Sequence, residues 1–173
     1  MGMITMNGTT LYKKASQSYV RATLEVLNYF KTDVMEVHHI GSTSLEMMDM
    51  PGDIDVLVLV KYERSQTELP EEMAEQGYEL VEDTIPYYDS ETVLRCSFEG
   101  YTVNFILMKY DSARKADILY CRDCINENEK YTLQLQKLKK EFLDANLSHA
   151  EYQDKKAEFF LSITEGSEGV EVV

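Results

Sequence analysis

The sequence predicts an α/β fold, a mixed β-sheet of about five strands with an N-terminal helix before it and C-terminal helices after it. Three observations carry that expectation. Residues 33–40 alternate like a strand and 53–60 form an apolar strand-like run; two further alternating segments meet at Glu99-Gly100; and beyond Asp111-Ser112 the pattern turns helical until about Thr164.

Taken in order, residues 12–31 place Tyr12, Ala15, Tyr19, Ala22, Leu24, Val26, Leu27 and Phe30 at near-helical spacing, with Lys13, Lys14, Arg21 and Lys31 elsewhere, which reads as one amphipathic helix. Asp33 to Ile40 alternates like a strand and ends at Gly41-Ser42-Thr43-Ser44. A short helical turn starting at Ser44 or Leu45 is broken by Pro51-Gly52. The run from Asp53 to Val60 is apolar on both faces, as a central strand must be. Glu68 to Gln76 reads as a helix opened by Thr67, with Pro70 in its first turn and Gly77 closing it. Tyr78–Glu82, Thr92–Phe98 and Tyr101–Lys109 read as strands, the last two forming a hairpin. Breaks near Asn126 and near Asn146-Leu147-Ser148 divide the remainder into three helices.

The domain expectation is a flexible lead-in or cloning remnant over 1–10 and one domain over 11–165, its core reaching about 111 and its helices covering 113–165. A flexible tail over 166–173 would follow. With 44% apolar residues the chain has material for a core, and its longest apolar run is too short to span a membrane. The first six residues lack the basic start and small-residue cleavage site of a secretory signal. Three cysteines, Cys96, Cys121 and Cys124, suit a reducing compartment, so the expected location is the cytoplasm.

Seventeen Lys and Arg stand against 31 Asp and Glu, a formal net charge of −14, which argues against a nucleic-acid partner. The acid is uneven, since residues 61–100 hold three basic against eleven acidic residues. That stretch reads as an exposed, solubilising face or an acidic docking surface, outside the Gly41-Ser42 loop and the Asp53-Ile54-Asp55 strand.

The chemistry centres on Gly41-Ser42 followed by Asp53-Ile54-Asp55. On a strand Asp53 and Asp55 project to the same side, and two adjacent carboxylates repel unless a cation such as Mg²⁺ holds them or one takes a proton. Gly41 lets backbone approach an anion, and the hydroxyls of Ser42, Thr43 and Ser44 with nearby N–H groups can grip phosphate oxygens. A nucleoside triphosphate with its metal fits both halves; the competing reading of Asp53 is a strand-start cap.

His39-Ile40-Gly41-Ser42-Thr43-Ser44, Pro51-Gly52-Asp53-Ile54-Asp55-Val56, Arg95 before the hairpin, Arg122-Asp123, Leu138-Lys139 and Tyr152-x-x-x-Lys156-x-x-Phe159 resemble the GrpB family, from about Tyr12 to Phe160. That family resembles the nucleotidyltransferase superfamily of polymerase beta and the small antibiotic nucleotidyltransferases. The resemblance implies a nucleotidyltransferase-like fold and a nucleotide site on the Gly-Ser loop and Asp-x-Asp strand; most GrpB members have no assigned reaction. The superfamily reaction uses two divalent ions and three carboxylates. Here the strand placed to supply the third carboxylate carries Asn104, where family relatives tend to have His, and an amide cannot act as a base. Glu99 and Asp111, at that strand's ends, could substitute only if the loops fold back. The Pro-Gly-Leu segment common after the Ser in relatives is replaced by Leu45-Glu46-Met47-Met48.

His39 either touches the site or is a satisfied core histidine, while His38 reads as outward or structural and His149 as a surface residue. Arg95, mid-strand, pairs either with Asp53, Asp55 or a phosphate, or with a structural partner. Lys139 and Lys156, matched to family positions, are candidate triphosphate or acceptor contacts. Cys121-x-x-Cys124 lacks the second ligand pair that zinc needs and lies in a helical region, so it reads as two helix cysteines. The functional expectation is therefore binding of a nucleoside triphosphate with Mg²⁺ at Asp53 and Asp55, with Asn104 beside them. Nucleotidyl transfer to a small-molecule or protein hydroxyl would follow from it. The alternatives are a non-catalytic nucleotide-sensing or partner-binding module and a metal-independent small-ligand binder. Oligomeric state is not legible in the sequence.

Overall fold

The computed structural model describes residues 8–170, with side chains to residue 165; of the segments expected to be flexible, 1–10 and 166–173, residues 1–7 and 171–173 lie outside the described residues. Helix α1 spans Thr10–Phe30. Strand β1, Val34–Ile40, leads through a single 3₁₀ turn at Ser42–Ser44 into β2, Ile54–Val60. Helix α2, Ser65–Glu75, precedes the two-residue strand β3, Glu79–Leu80, and a 3₁₀ turn at Pro86–Tyr88. Strands β4, Thr92–Phe98, and β5, Tyr101–Lys109, are followed by α3, Ala113–Glu127, α4, Glu129–Leu143, and α5, His149–Val170.

The five strands form one sheet in the order β1-β2-β5-β4-β3. All pairs are antiparallel except β2 with β5, which run parallel and place Asp55 opposite Asn104. The predicted mixed five-stranded sheet is thus present, with β2 interior and β5 in the middle. Alternation sorts the side chains into two layers. Ile54, Val56, Val58, Val103 and Phe105 pack against Ala22 and Val26 of α1 and Leu69 and Met73 of α2. Leu57, Leu59, Ile106 and Met108 pack on the other face against Ile118, Ile125, Leu135 and Phe160 of the three C-terminal helices. Asp55 and Asn104 share the parity of the second set, so the carboxylates open toward α3–α5.

Glu99 and Gly100 both take positive φ, 51° and 85°, the conformation a two-residue hairpin turn demands. The non-glycine residue is held there by Arg21 of α1, whose Nε donates to both Glu99 carboxylate oxygens at 2.9 and 2.8 Å, and by Ser18 Oγ at 2.7 Å. The last helix opens on a reciprocal cap, Ser148 N–H donating to Glu151 Oε1 and Glu151 N–H to Ser148 Oγ.

Several boundaries differ from the sequence expectation, among them the short helical turn, which forms over Ser42–Ser44 instead of starting at Ser44 or Leu45. Helix α2 begins at Ser65 rather than after Thr67, because buried Ser65 donates its hydroxyl to Asp33 Oδ1 at 2.7 Å and anchors the chain there. Pro70 therefore lies inside the helix, where it forgoes one hydrogen bond. Gly77, at φ 98°, does end the helix, with Tyr78 N–H returning to Met73 O. The strand expected over 78–82 pairs only at Glu79 and Leu80, and the α3/α4 break falls at Asn128, whose side chain caps α4. Helix α5 continues to Val170, past the expected end near 164, since glycine weakens a helix but retains the N–H that proline lacks.

Candidate functional site

The turn after β1 is shaped around Asp55. Gly41 has φ 74° and ψ −173°, and a Cβ placed on it would run into the Asp55 carboxylate, so the chain crosses there only as glycine. Ser44 Oγ and Ser44 N–H both donate to Gly41 O, at 2.5 and 3.1 Å, closing the 3₁₀ turn. Thr43 Oγ1 donates to Asp53 O at 3.0 Å, tying the turn to the start of β2. That donation spends the only hydroxyl proton. His39 Nε2, 3.0 Å from Thr43 Oγ1, must therefore be the protonated ring nitrogen that donates to it. Burial, and secondarily the charge of Arg122, draw the His39 pKa down to about 4, so the ring is neutral and stacks on Tyr19 at 4.6 Å.

Asn104 organises the carboxylates. Its Nδ2 donates to Asp53 Oδ2 at 3.1 Å and Asp55 Oδ1 at 2.9 Å, while its Oδ1 accepts from Arg95 Nε at 2.6 Å. The amide can be oriented in only one way, because carboxylates accept and guanidinium donates. Asp55, Asn104 and Arg95 lie opposite one another across β2, β5 and β4, so the row follows from strand register. Burial raises the Asp55 pKa, with the charge of Lys156 and the Asn104 hydrogen bond acting against it.

The facing wall comes from α4 and α5. Lys139 is only 7% exposed, and its Nζ lies over Gly52, where a Cβ would stand 2.7 Å from it and 2.9 Å from Ser42 Oγ. Burial, then repulsion from Lys156, lower the Lys139 pKa to about 8. Lys139 Nζ is 3.4 Å from Tyr152 Oη, and Lys156 Nζ lies 5.3 Å from the Tyr152 ring, which stacks on Phe142 at 4.6 Å. Between this wall and the sheet end lies a cleft of about 880 Å³, whose lining includes Ser42, Asp53, Asp55, Asn104, Arg95, Lys139 and Lys156.

Of the residues singled out in the sequence, Gly41, Ser42, Asp53, Asp55, Asn104, Arg95, Lys139 and Lys156 converge on this cleft. Three do not reach it. His39 pairs with Val56 and shares its face, toward α1, while the carboxylates share the opposite face. The Thr43 and Ser44 hydroxyls bond within the turn and hold its shape instead of offering themselves to a ligand. Arg95 meets Asn104, with no direct ion pair to either Asp among the described residues. Glu99 is held by α1, and Asp111 lies near Lys109 at the far end of β5, so neither supplies a third carboxylate. Gly52, Phe142, Tyr152, Gln153 and His149 also line the cleft, although the sequence reading gives none of them a role in the site. The one-turn spacing of Tyr152 and Lys156 was the available signal. Cys121 is buried with its Sγ 3.7 Å from Phe160 O, and both it and Cys124 are free thiols.

Two carboxylates at the bottom of an open cleft fit one Mg²⁺, an ion commonly held by one or two protein carboxylates plus ligand phosphates. They do not fit the two-ion arrangement. No group of three or more His, Cys, Asp or Glu side chains able to hold a metal occurs among the described residues, and Asn104 directs N–H donors where further ligand oxygens would be needed.

A five-stranded mixed sheet between two helical layers, with a Gly-Ser turn over an Asp-x-Asp strand, defines an α/β protein with a cleft at the sheet end. The sequence matches the family model described as GrpB protein over residues 10–166, and the chain belongs to that family. Its fold is that of the conserved protein GrpB from Enterococcus faecalis, whose crystal structure superposes with a TM-score of 0.66 at 21% identity, covering 94% of this chain and 96% of that one. Weaker overlap is found with Cid1 in complex with its short product ApU, TM-score 0.48 at 13% identity over 76% of this chain and 40% of that one. The MgGTP-bound Cid1 poly(U) polymerase gives 0.48 at 14%, over 76% and 41%. A search of curated proteins yields no match. Among the described residues no helix is long and apolar enough to cross a membrane.

Proposed function

We propose that the cleft binds a nucleoside triphosphate together with one Mg²⁺. The observation that carries this reading is the set of three cations, Arg95, Lys139 and Lys156, turned into one cleft, none in an ion pair with a carboxylate among the described residues. A buried, unpaired ammonium such as that of Lys139 is costly unless an anion joins it. Lys139 and Lys156 would take phosphate oxygens with Ser42 Oγ, which has no hydrogen-bond partner among the described residues. Asp53 and Asp55 would hold the ion, which when bound neutralises phosphate charge and polarises a phosphoryl oxygen. The cleft volume is in the range of small-molecule sites.

A second reading, nucleotide binding without chemistry as a sensing or partner-binding module, is favoured by Asn104. Its amide has no lone pair basic enough to take a proton from an attacking hydroxyl, and both of its N–H donors are engaged by Asp53 and Asp55. Transfer to a small-molecule or protein hydroxyl would need another proton acceptor. Calorimetric titration with each nucleoside triphosphate, with and without Mg²⁺, tests the binding: Mg²⁺-enhanced affinity is expected, and no affinity for any nucleotide overturns both readings. Pyrophosphate release from labelled nucleotide in a pool of hydroxyl acceptors, lost in Asp55→Asn, would establish transfer; binding without release would establish the module.

A further inference from the structure

We propose that Arg95, held in place by Asn104, supplies the positive charge that a second divalent ion would otherwise bring, so that the nucleotide is bound with one ion and one guanidinium. The inference rests on the nucleotide reading above and goes beyond it by assigning the charge partner of the ligand.

The geometry is specific to this pair. Arg95 extends from β4 across β5, and only its Nε is committed, to Asn104 Oδ1 at 2.6 Å. Its two terminal amino groups make no hydrogen bond or ion pair among the described residues, and the side chain lines the cleft. A planar guanidinium fixed through one nitrogen presents the remaining N–H groups in a set direction, the arrangement that grips phosphate through two parallel bonds. Asn104 is the reason it is fixed. Its amide couples the cation to the two carboxylates through Nδ2, so the sequence carboxylate, amide, guanidinium runs unbroken across three strands. A carboxylate in place of Asn104 would pair directly with Arg95 or bind a second metal; the amide does neither and leaves the arginine charge uncompensated. Two adjacent carboxylates can then share a single ion, while Arg95 meets phosphate on the other side.

The number of ions per bound nucleotide tests this. Equilibrium dialysis of the full chain with Mn²⁺ and the non-hydrolysable α,β-methylene ATP should give one Mn²⁺ per bound nucleotide at saturation. Two per nucleotide overturns the proposal while leaving nucleotide binding intact, whereas no bound nucleotide at any Mn²⁺ concentration overturns the reading it rests on as well. In the double variant Asn104→Asp with Arg95→Ala, the ratio should rise toward two. Arg95→Ala alone should weaken the analogue at least tenfold and Arg95→Lys, which keeps the charge, by less; equal affinity in wild type and Arg95→Ala overturns the proposal. The wild-type ratio requires no variant to fold.

Discussion

Gly41 lies directly against the carboxylate of Asp55, although the two residues belong to different segments and fourteen positions separate them. The turn and the strand are therefore one object: the path of the first is set by the side chain of the second. Gly41→Ala should lower stability by about 1–3 kcal/mol, since its backbone occupies a region essentially reserved for glycine, and the new methyl must displace Asp55. Urea unfolding measures the loss. An alanine variant as stable as wild type would mean that the carboxylate moves aside freely.

Asn104→Leu removes the donor shared by two carboxylates and the acceptor of a guanidinium in one step. Leaving those groups unmatched should cost about 1–3 kcal/mol at neutral pH. Mg²⁺ should raise the melting temperature of this variant more than that of wild type, because an ion can replace the lost donors. An equal Mg²⁺ effect in the two proteins would count against Asp53 and Asp55 as ion ligands.

Lys139→Met should leave the protein at least as thermostable as wild type, because a buried ammonium is exchanged for an apolar chain of similar length. The same change should weaken nucleotide at least tenfold. In wild type, affinity should fall as pH rises through about 8, because the Lys139 pKa is lowered to that value and the ammonium is lost above it. Titration calorimetry between pH 7 and 9 reads the effect; a flat profile would remove Lys139 from the phosphate contacts.

His39 contributes stability only while neutral. Its folded pKa, about 4, lies below the unfolded value of 6.5, so the folded state binds fewer protons between them, and its contribution is complete above pH 6.5 and lost as pH falls through 4. The loss should reach about 3 kcal/mol. His39→Gln should flatten that part of the stability profile, and an NMR titration of the His39 ring should place its midpoint near 4.

The elements easiest to read were those whose pattern is local. The hairpin β4–β5 was located to the residue, because two alternating runs flank a dipeptide that suits a tight turn. The common face of Asp53 and Asp55 followed from a period of two within one strand. Pairing between strands was not legible: the parallel alignment of β2 and β5 joins residues about fifty positions apart, and it alone puts Asn104 opposite Asp55. The same gap leaves His39 open between the site and the core, because its face depends on its register with β2. Lys139 and Lys156 enter the site only through family resemblance, His149 reads as a surface residue and Phe142 and Gln153 do not stand out, since helical periodicity does not say which end of a sheet a helix will overhang. Ser65 advanced the start of α2 through a contact with Asp33 that no capping pattern announces.

The stacked Phe142–Tyr152 pair has an optical consequence. The chain contains no tryptophan and twelve tyrosines. Phe142→Trp would thus install a single indole emitter on the cleft wall, with tyrosines as energy donors around it. Selective excitation at the red edge would report on that wall alone, and quenching by an incoming aromatic base would follow binding in real time without a labelled ligand.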